Sequence, residues 1–263
     1  MSMIRTITEG DEALLQTAVT TLDRSRSKRL VTLVACIHIG LPSYFDELNQ
    51  LIAAHKGAVL YEGIGALTPE EIDSLSPEEK AIFERLSPLH ELYEKLATPL
   101  GLVFQGTALH YDREHWINAD IPLRRLIANW KDVKAPPLPI DKLPTDLLES
   151  EASRRFAVQL LLQEPLILQA FNGVRSWLPP LRRMSDVLIE QRNQAAIDAF
   201  DRVDPDEDVL IIYGAGHMQG LLDALRERWY WRKEESWYTA LRGESLFGGG
   251  LKSLLGGLAG SRS

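Results

Sequence analysis

Residues 209–225 read "VLIIYGAGHMQGLLDAL": an apolar run, two glycines, a histidine and an amphipathic stretch in one short segment. Val209 to Tyr213 is aliphatic and β-branched without alternation, the pattern of a strand covered on both faces, and such strands belong mostly to parallel sheets. Gly214 and Gly216 end the run. From Met218 onward Leu221, Leu222 and Leu225 recur at helical spacing, while Asp223, Arg226, Glu227 and Arg228 take the other side. His217 therefore falls between the C-terminal end of a strand and the N-terminus of a helix. In open α/β sheets ligands gather at such points, where glycines allow close backbone approach and free helical N–H groups attract anions. Gly214 and Gly216 are accordingly expected to line a substrate site.

The same pattern occurs earlier in the chain. Leu30 to Ile39 is a nearly unbroken apolar run, followed by a helix from about Pro42, whose missing N–H is harmless in a first turn. Tyr44, Leu48, Leu51 and Ile52 make the buried face of that helix. "AVLYE", ending at Glu62, is the next strand, so residues 31–62 read as a βαβ unit with His38 and Glu62 finishing neighbouring strands. "VACIHIGLPSYFDEL" and "IYGAGHMQGLLDAL" both run strand, histidine, amphipathic helix. The expected architecture is an α/β fold with a mostly parallel central sheet flanked by helices, built on duplicated strand–His–helix units.

Between these units the pattern is mainly helical. Pro69 to Ala97 is charged and helical, with "SPEEKAIFERL" opening on a serine cap and an acidic first turn. "LGLVFQ" reads as a third short strand, "ADIPLRRLIANW" as helical after Asp120, and the proline-dense Lys131 to Pro144 as a loop. Residues 145–171 and 180–203 form two longer helices broken at "WLPP". The whole is one domain over 1–242, with a helical insertion over about 66–203 and a flexible glycine-rich tail over 243–263. The tail's glycine-broken leucines anchor poorly in a membrane. "WYWRKEESWYT" mixes aromatic and polar residues as an edge strand does, and such an edge is where a homodimer would pair.

With 263 residues, 45% of them hydrophobic and 25% charged, the chain is long enough for a large core. A net charge of −8 and a pI near 5.3 argue against nucleic acid as a partner, which needs a basic face. The one basic cluster, "RSRSKR" at 24–29, reads as a solvated turn before a strand. Cys36 is the only cysteine, so neither an internal disulfide nor a cysteine-based zinc site is available, and its apolar setting makes it a small buried hydrophobe. No stretch approaches membrane-span length and the N-terminus lacks an apolar signal core, which fits a cytoplasmic protein.

If both histidine-bearing strands are central in one sheet, His38, Glu62 and His217 converge on one crevice. Two imidazoles and a carboxylate suit a hydrolytic divalent ion such as manganese, cobalt or zinc. The same set also works without metal, one histidine acting as general base and Glu62 orienting it. Either histidine alone is more often a hydrogen-bonded structural group, but three ionisable groups at strand ends are hard to explain as core packing. A fourth member comes from "MSDVLIEQRNQAAIDAF", where Met184, Leu188, Ala195, Ala196, Ala199 and Phe200 form an apolar arc with Arg192 in its middle. A guanidinium there needs a carboxylate, a phosphate or a substrate anion. His110 and His115, near Tyr111, Asp112 and Asp120, offer a second polar wall, with His110 and Tyr111 as substrate-binding candidates. His55 and His90 lie in charged helical contexts and read as surface residues. No Walker loop, GxSxG elbow, HExxH pair or GxGxxG motif is present.

"IEQRNQAAIDAF" followed by "VLIIYGAGHMQGL" resembles the closing motif of the TraB/PrgY/GumN family, related to the Tiki proteins and more distantly to erythromycin esterases and ChaN-like proteins. "ACIHIG" and "VLYEG" match its N-terminal half in order and place, with one departure: the family has glycine three residues before the first histidine, where this chain has Ala35. The resemblance implies an α/β fold with a duplicated strand–helix core and one site shared by both histidine motifs. It carries over His38, Glu62, Arg192 and His217 as the site, and Glu190 and Asn193 as motif positions, Asn193 being assigned to substrate binding. Tiki proteins are regarded as metal-dependent proteases and erythromycin esterases as hydrolases using histidine and glutamate, so the expected activity is metal-dependent cleavage of an amide or ester bond in a peptide or small molecule, with His38, Glu62 and His217 binding the ion or activating water directly and Arg192 holding or polarising a carboxylate or the developing oxyanion. PrgY-like members block a peptide signal and ChaN-like members bind haem, which keeps a sequestering protein as the alternative. A third reading, an interaction module with a vestigial site, draws on Ala35.

Overall fold

The structure is a computed structural model that describes residues 2–25, 27–86, 89–111, 115–131, 133, 148–174 and 177–245. Its strands are β1 (Ile4–Glu9), β2 (Glu12–Asp23), β3 (Val31–Cys36), β4 (Ile39–Gly40), β5 (Ala58–Tyr61), β6 (Val103–Phe104), β7 (Trp116–Asn118), β8 (Val209–Gly214) and β9 (Trp231–Glu244). The helices are α1 (Pro42–Ala54), α2 (Pro69–Asp73), α3 (Pro77–Leu86), α4 (Leu89–Ala97), α5 (Gln105–Ala108) and α6 (Leu123–Trp130). They continue as α7 (Glu151–Leu162), α8 (Glu164–Val174), α9 (Pro179–Ser185), α10 (Gln191–Phe200) and α11 (Met218–Glu227).

The fold is mixed α/β. The sequence's continuous apolar run becomes β8, every residue of which is buried, between β3 and β5 and parallel to both. β7 extends this parallel core beyond β5. Side chains alternate between the two faces with the strand's period of two. Leu33, Ala35, Ile211 and Tyr213 pack with residues of α10 and α11, whereas Val34, Cys36, Leu210 and Ile212 pack with α1. Helices thus cover both faces. Residues 31–62 do form strand, helix and strand, but β3 and β5 are not neighbours. The insertion of β8 between them places His217 between His38 and Glu62.

On its other edge the core is extended by antiparallel strands. One side of β2 pairs with β9 along its length, and the other is shared by β1 and β3. β9 is the edge strand expected from "WYWRKEESWYT", and its exposed charges discourage further pairing. The β1–β2 hairpin is an element the sequence patterns above do not anticipate. Its signal is Gly10-Asp11 between Thr-rich and Leu-rich runs, a two-residue loop in which Gly10 takes φ +62°.

Several boundaries move. "LGLVFQ" supplies β6, but β6 pairs with β4 in a separate two-stranded sheet and stays outside the central one. The predicted helix over 145–171 begins at Glu151 and is two helices, α7 and α8. The helix over 180–203 carries a π-turn at Asp186–Glu190 between α9 and α10. Gly243 and Glu244 belong to β9, and the N–H of Ser245 donates to the Asp11 carbonyl at 2.8 Å, so only 246–263 of the expected tail remains, outside the described residues. Residues 134–144 of the proline-dense loop lie outside them too. The basic cluster at 24–29 is not simply solvated: Arg29 is buried with its guanidinium 4.2 Å from the Phe200 ring centroid, and Arg24 lies 5.3 Å from that of Tyr230, while Arg26 is outside the described residues. No helix among the described residues is long and apolar enough to cross a membrane.

Candidate functional site

The carboxyl ends of β3, β8 and β5 lie level, since Cys36 pairs with Gly214 and Tyr61 with Ile212. Glu62 comes directly after β5, and its backbone N–H donates to the Ile212 carbonyl at 3.0 Å. This turns its side chain across the end of β8, where Oε2 accepts the Gly214 N–H at 2.5 Å. A Cβ at position 214 would stand 3.1 Å from that same oxygen, so glycine is what permits the approach. Gly214 therefore serves Glu62. Gly216 faces apolar packing instead, its missing Cβ nearest Leu168 Cδ2 at 3.7 Å and Ile189 Cδ1 at 3.8 Å.

Arg192 resolves its buried position with two carboxylates of the protein. Its Nη2 donates to Glu62 Oε1 at 2.6 Å, and Nε and Nη2 together clasp Asp120 Oδ1 and Oδ2 at 2.9 and 2.6 Å. All three side chains are at most 9% exposed. Burial opposes charge on both Arg192 and Glu62, but the opposite charges outweigh it: Arg192 is held more firmly protonated than usual and Glu62 lies well below the usual carboxylate range, lowered mainly by His217 and Arg192. Two anions share one guanidinium, so Glu62, Arg192 and Asp120 carry a net charge of −1. The sequence marks Asp120 only as part of a polar wall; bidentate pairing with Arg192 is its place.

His217 is buried and oriented by Asn193, whose Oδ1 lies 2.8 Å from Nδ1 while its Nδ2 donates to the His217 carbonyl at 3.3 Å. Gly220 makes room for that amide, since a Cβ there would collide with Asn193 Nδ2. Tyr213 packs edge-on against the imidazole, its hydroxyl donating to the Ala119 carbonyl. Nε2 then faces Glu62 Oε1 at 3.5 Å. With Nδ1–H donating to Asn193, Nε2 is the nitrogen turned toward the carboxylate oxygen; with a proton there it is the positive charge that lowers Glu62, and without one it is a base. At this separation a proton on Nε2 can lie on the line between the two atoms, whereas a water could only bridge them from beside that line. Arg192 and Asn193 are consecutive residues of α10, about 100° apart around the helix, and so reach the two halves of this pair, Glu62 and His217. Met184, Leu188 and Ala195 pack in a separate apolar cluster from Ala196, Ala199 and Phe200, so the single predicted arc is divided between two clusters.

His38 differs in kind. It lies in the bend between β3 and β4, open to water, with its ring 4.9 Å from that of Tyr93 and its carbonyl accepting the Gln105 N–H at 2.8 Å. Protein surrounds it at longer range even though its surface is accessible, as on the floor of a crevice. That desolvation lowers its pKa, against the pull of Glu62, so the imidazole is neutral at pH 7. Gln105 Oε1 favours the charged form from nearby yet makes no hydrogen bond, and Gln105 Nε2 donates to the Tyr111 hydroxyl at 3.0 Å. Tyr111, Tyr61 and Trp116 form an aromatic wall with centroids 5.1 to 5.6 Å apart, within electrostatic reach of Glu62.

His38, Glu62, Arg192 and His217 thus come together, with Asn193 and Tyr111 beside them. His110 is exposed, its N–H held by Asn49 Oδ1, and among the described residues it makes no bond to this group. His115 is exposed as well, and Asp112 and the His90 side chain lie outside the described residues. His55 is half-buried with Nε2 enclosed and without a hydrogen bond, unlike the surface residue expected. Ala35 is buried, its methyl packed among Leu33, Ile211 and Tyr213 rather than in the crevice.

Glu62 Oε1 and His217 Nε2 face each other at a spacing a divalent ion could bridge, but Oε1 is already bound to Arg192 and Oε2 to Gly214 N–H. Among the described residues, no group of three or more His, Cys, Asp and Glu side chains is arranged to hold a metal ion. No family model matches the chain, no curated protein matches it as a relative, and no solved structure matches it.

Proposed function

We propose that the protein is a hydrolase of an amide or ester bond in a peptide or small molecule, acting on a water held between Glu62 and His217. One observation carries this reading: Nε2 and Glu62 Oε1 lie side by side at 3.5 Å while Asn193 occupies Nδ1, so a water lying beside the pair could donate to both. As that water attacks the carbonyl carbon, its proton passes to Nε2, and the positive imidazolium is stabilised by the Glu62 anion beside it. Arg192 is spent on Glu62 and Asp120, so it fixes the base's partner and leaves the substrate oxyanion to another donor. Neutral, accessible His38 is the group placed to donate to it. The resemblance of the two histidine motifs to the TraB/PrgY/GumN family supports the same reading, and we propose the chain as a divergent member.

The test is turnover of an ester and peptide panel by chelator-treated protein, in wild type, His217→Ala and Glu62→Gln. Metal-stripped wild type is expected to be active and the variants slower by about 10²-fold or more, the range of general-base catalysis. Activity that vanishes with the chelator and returns with one manganese, cobalt or zinc ion per chain would replace the metal-free water with a metal-bound one. Tight stoichiometric uptake of a peptide or haem without turnover would replace hydrolysis with sequestration.

A further inference from the structure

Exposed apolar surface is concentrated in one part of the protein. Most of the large hydrophobic side chains that stand exposed among the described residues lie between Phe156 and Leu178, on α7, α8 and the segment after α8. Phe156 is 63% exposed, Leu166 61% and Trp177 83%. α8, "EPLILQAFNGV", is apolar around much of its circumference, yet none of its residues is buried. Its inner side has a partner: Leu168 packs in the apolar cluster of Cys36 and Tyr93 and lies 3.7 Å from where a Cβ on Gly216 would be, against the loop that carries His217. Its outer side, with Leu166, Ile167 and Val174, is open among the described residues. A helix that is apolar on both sides belongs under cover, and a patch of this kind marks a contact surface.

The chain's own C-terminal segment emerges at this surface. Arg155, Val158, Gln159 and Leu162 form the side of α7 that meets the end of β9. Gln159 Nε2 donates to the Glu244 carbonyl at 2.6 Å, Arg155 Nη1 lies 3.4 Å from Glu244 Oε1, and a Cβ on Gly243 would stand 2.8 Å from Leu162 Cδ1 and 2.9 Å from Val158 Cγ1. Phe156 and Leu160 each follow one of these residues, about 100° further around the same helix, so they flank the point from which residues 246–263 continue. That segment reads "LFGGGLKSLLGGLAGSRS". Its Leu251, Leu254, Leu255 and Leu258 recur at the spacing of one helix face, and Lys252 and Arg262 are its only charged side chains in a chain of net charge −8. Each glycine costs a helix about 1 kcal/mol relative to alanine, so the segment needs a surface that buries its leucines. An extended chain advances about 3.3 Å per residue against about 1.5 Å for a helix, so residues 246–263 reach from Gln159 to the end of α8. A tethered segment also meets its surface at an effective concentration on the order of mM, where modest apolar contact suffices.

We propose that residues 246–263 dock on the outer side of α7 and α8, with Leu251, Leu254, Leu255 and Leu258 covering Phe156, Leu160, Leu166 and Ile167. The contact is independent of the hydrolytic reading. It gives α8 an apolar neighbour on each side, the His217 loop within and the C-terminal segment without.

The experiment is hydrogen exchange read by mass spectrometry on the full chain, at low and high protein concentration. Wild type is compared with Leu254→Asp/Leu255→Asp and with Leu160→Lys/Ile167→Lys. Each pair is expected to release the other partner: the aspartates speed exchange in α7 and α8, and the lysines speed exchange in residues 251–258, by about tenfold or more, while β3 and β8 are unchanged. If the aspartate pair also speeds β3 and β8, that chain has lost its fold. The lysine pair, placed at exposed positions, then decides through the amides of 251–258. Exchange in these segments that neither pair alters would overturn the docking. Protection that grows with protein concentration would overturn it in favour of a second copy of the chain, and protection that arises only on adding phosphatidylcholine vesicles would overturn it in favour of a lipid surface.

Discussion

The two strand–His–helix units are parallel neighbours in one sheet, yet they treat their histidines in opposite ways. In the β8 unit, His217 is 4% exposed, with Nδ1 on Asn193, its ring against Tyr213 and Nε2 toward Glu62. In the β3 unit, His38 is open to water, its ring tilted against that of Tyr93 and without a described hydrogen bond. The difference comes from the segment on the C-terminal side of each histidine. His217 runs straight into α11, so helix and sheet enclose it; His38 leads into β4, which pairs outward with β6 before α1 begins. A duplicated motif has been divided into a fixed half, suited to moving a proton, and a reachable half, suited to touching a ligand.

The largest expected effect lies in what locks the fixed half. Arg192→Leu leaves Glu62 and Asp120 buried without their counter-charge, and removing one partner of a buried ion pair costs about 3–5 kcal/mol. Urea unfolding measures it. Adding Glu62→Gln and Asp120→Asn to Arg192→Leu removes the stranded charges and should recover much of the loss; a single Arg192→Leu that costs under about 1 kcal/mol would mean the carboxylates are not held by this residue.

A second contrast uses glycines. Gly220→Ala drives a methyl into Asn193, displacing the amide that holds His217 Nδ1, whereas Gly216→Ala meets only ordinary contacts. Gly220→Ala should cost about 1–3 kcal/mol and lower turnover, and Gly216→Ala should be near neutral in both. Equal behaviour of the two would detach Asn193 from the function of His217.

The sequence makes some of this legible for physical reasons. A run with no alternation, such as Val209–Tyr213, has only a doubly covered strand as its home, and that places His217 correctly. Arg192 on an apolar face has to find an anion, and it finds two. Which carboxylates those are cannot be read: Asp120 lies 72 residues upstream in a loop with no periodicity to announce it. The strand order is also hidden, because β8 enters between β3 and β5 from the far end of the chain. The π-turn at Asp186–Glu190 leaves no signature in composition.

Acid titration separates the two halves again. Glu62 has its folded pKa depressed, so its contribution is fully present above the unfolded value near 4.5 and is lost as pH falls toward the folded one. Wild type should therefore lose stability more steeply than Glu62→Gln below about pH 4.5. Parallel acid-unfolding curves would show that the lock does not hold the carboxylate as an anion.

The smallest effect is that of His38, and its window is different. Burial lowers its folded pKa below the unfolded value of 6.5, so between those two values the unfolded chain binds more protons than the folded one. Stability should rise with pH across that window and level off above it. Because the ring is open to water, the slope should be shallow, and His38→Gln, which cannot take up the proton, should flatten it while leaving stability at pH 8 within about 0.5 kcal/mol of wild type. A large loss at pH 8 would instead make His38 a packing residue like His217. The unequal treatment of the two units would then be a difference in exposure alone, with no division of labour behind it.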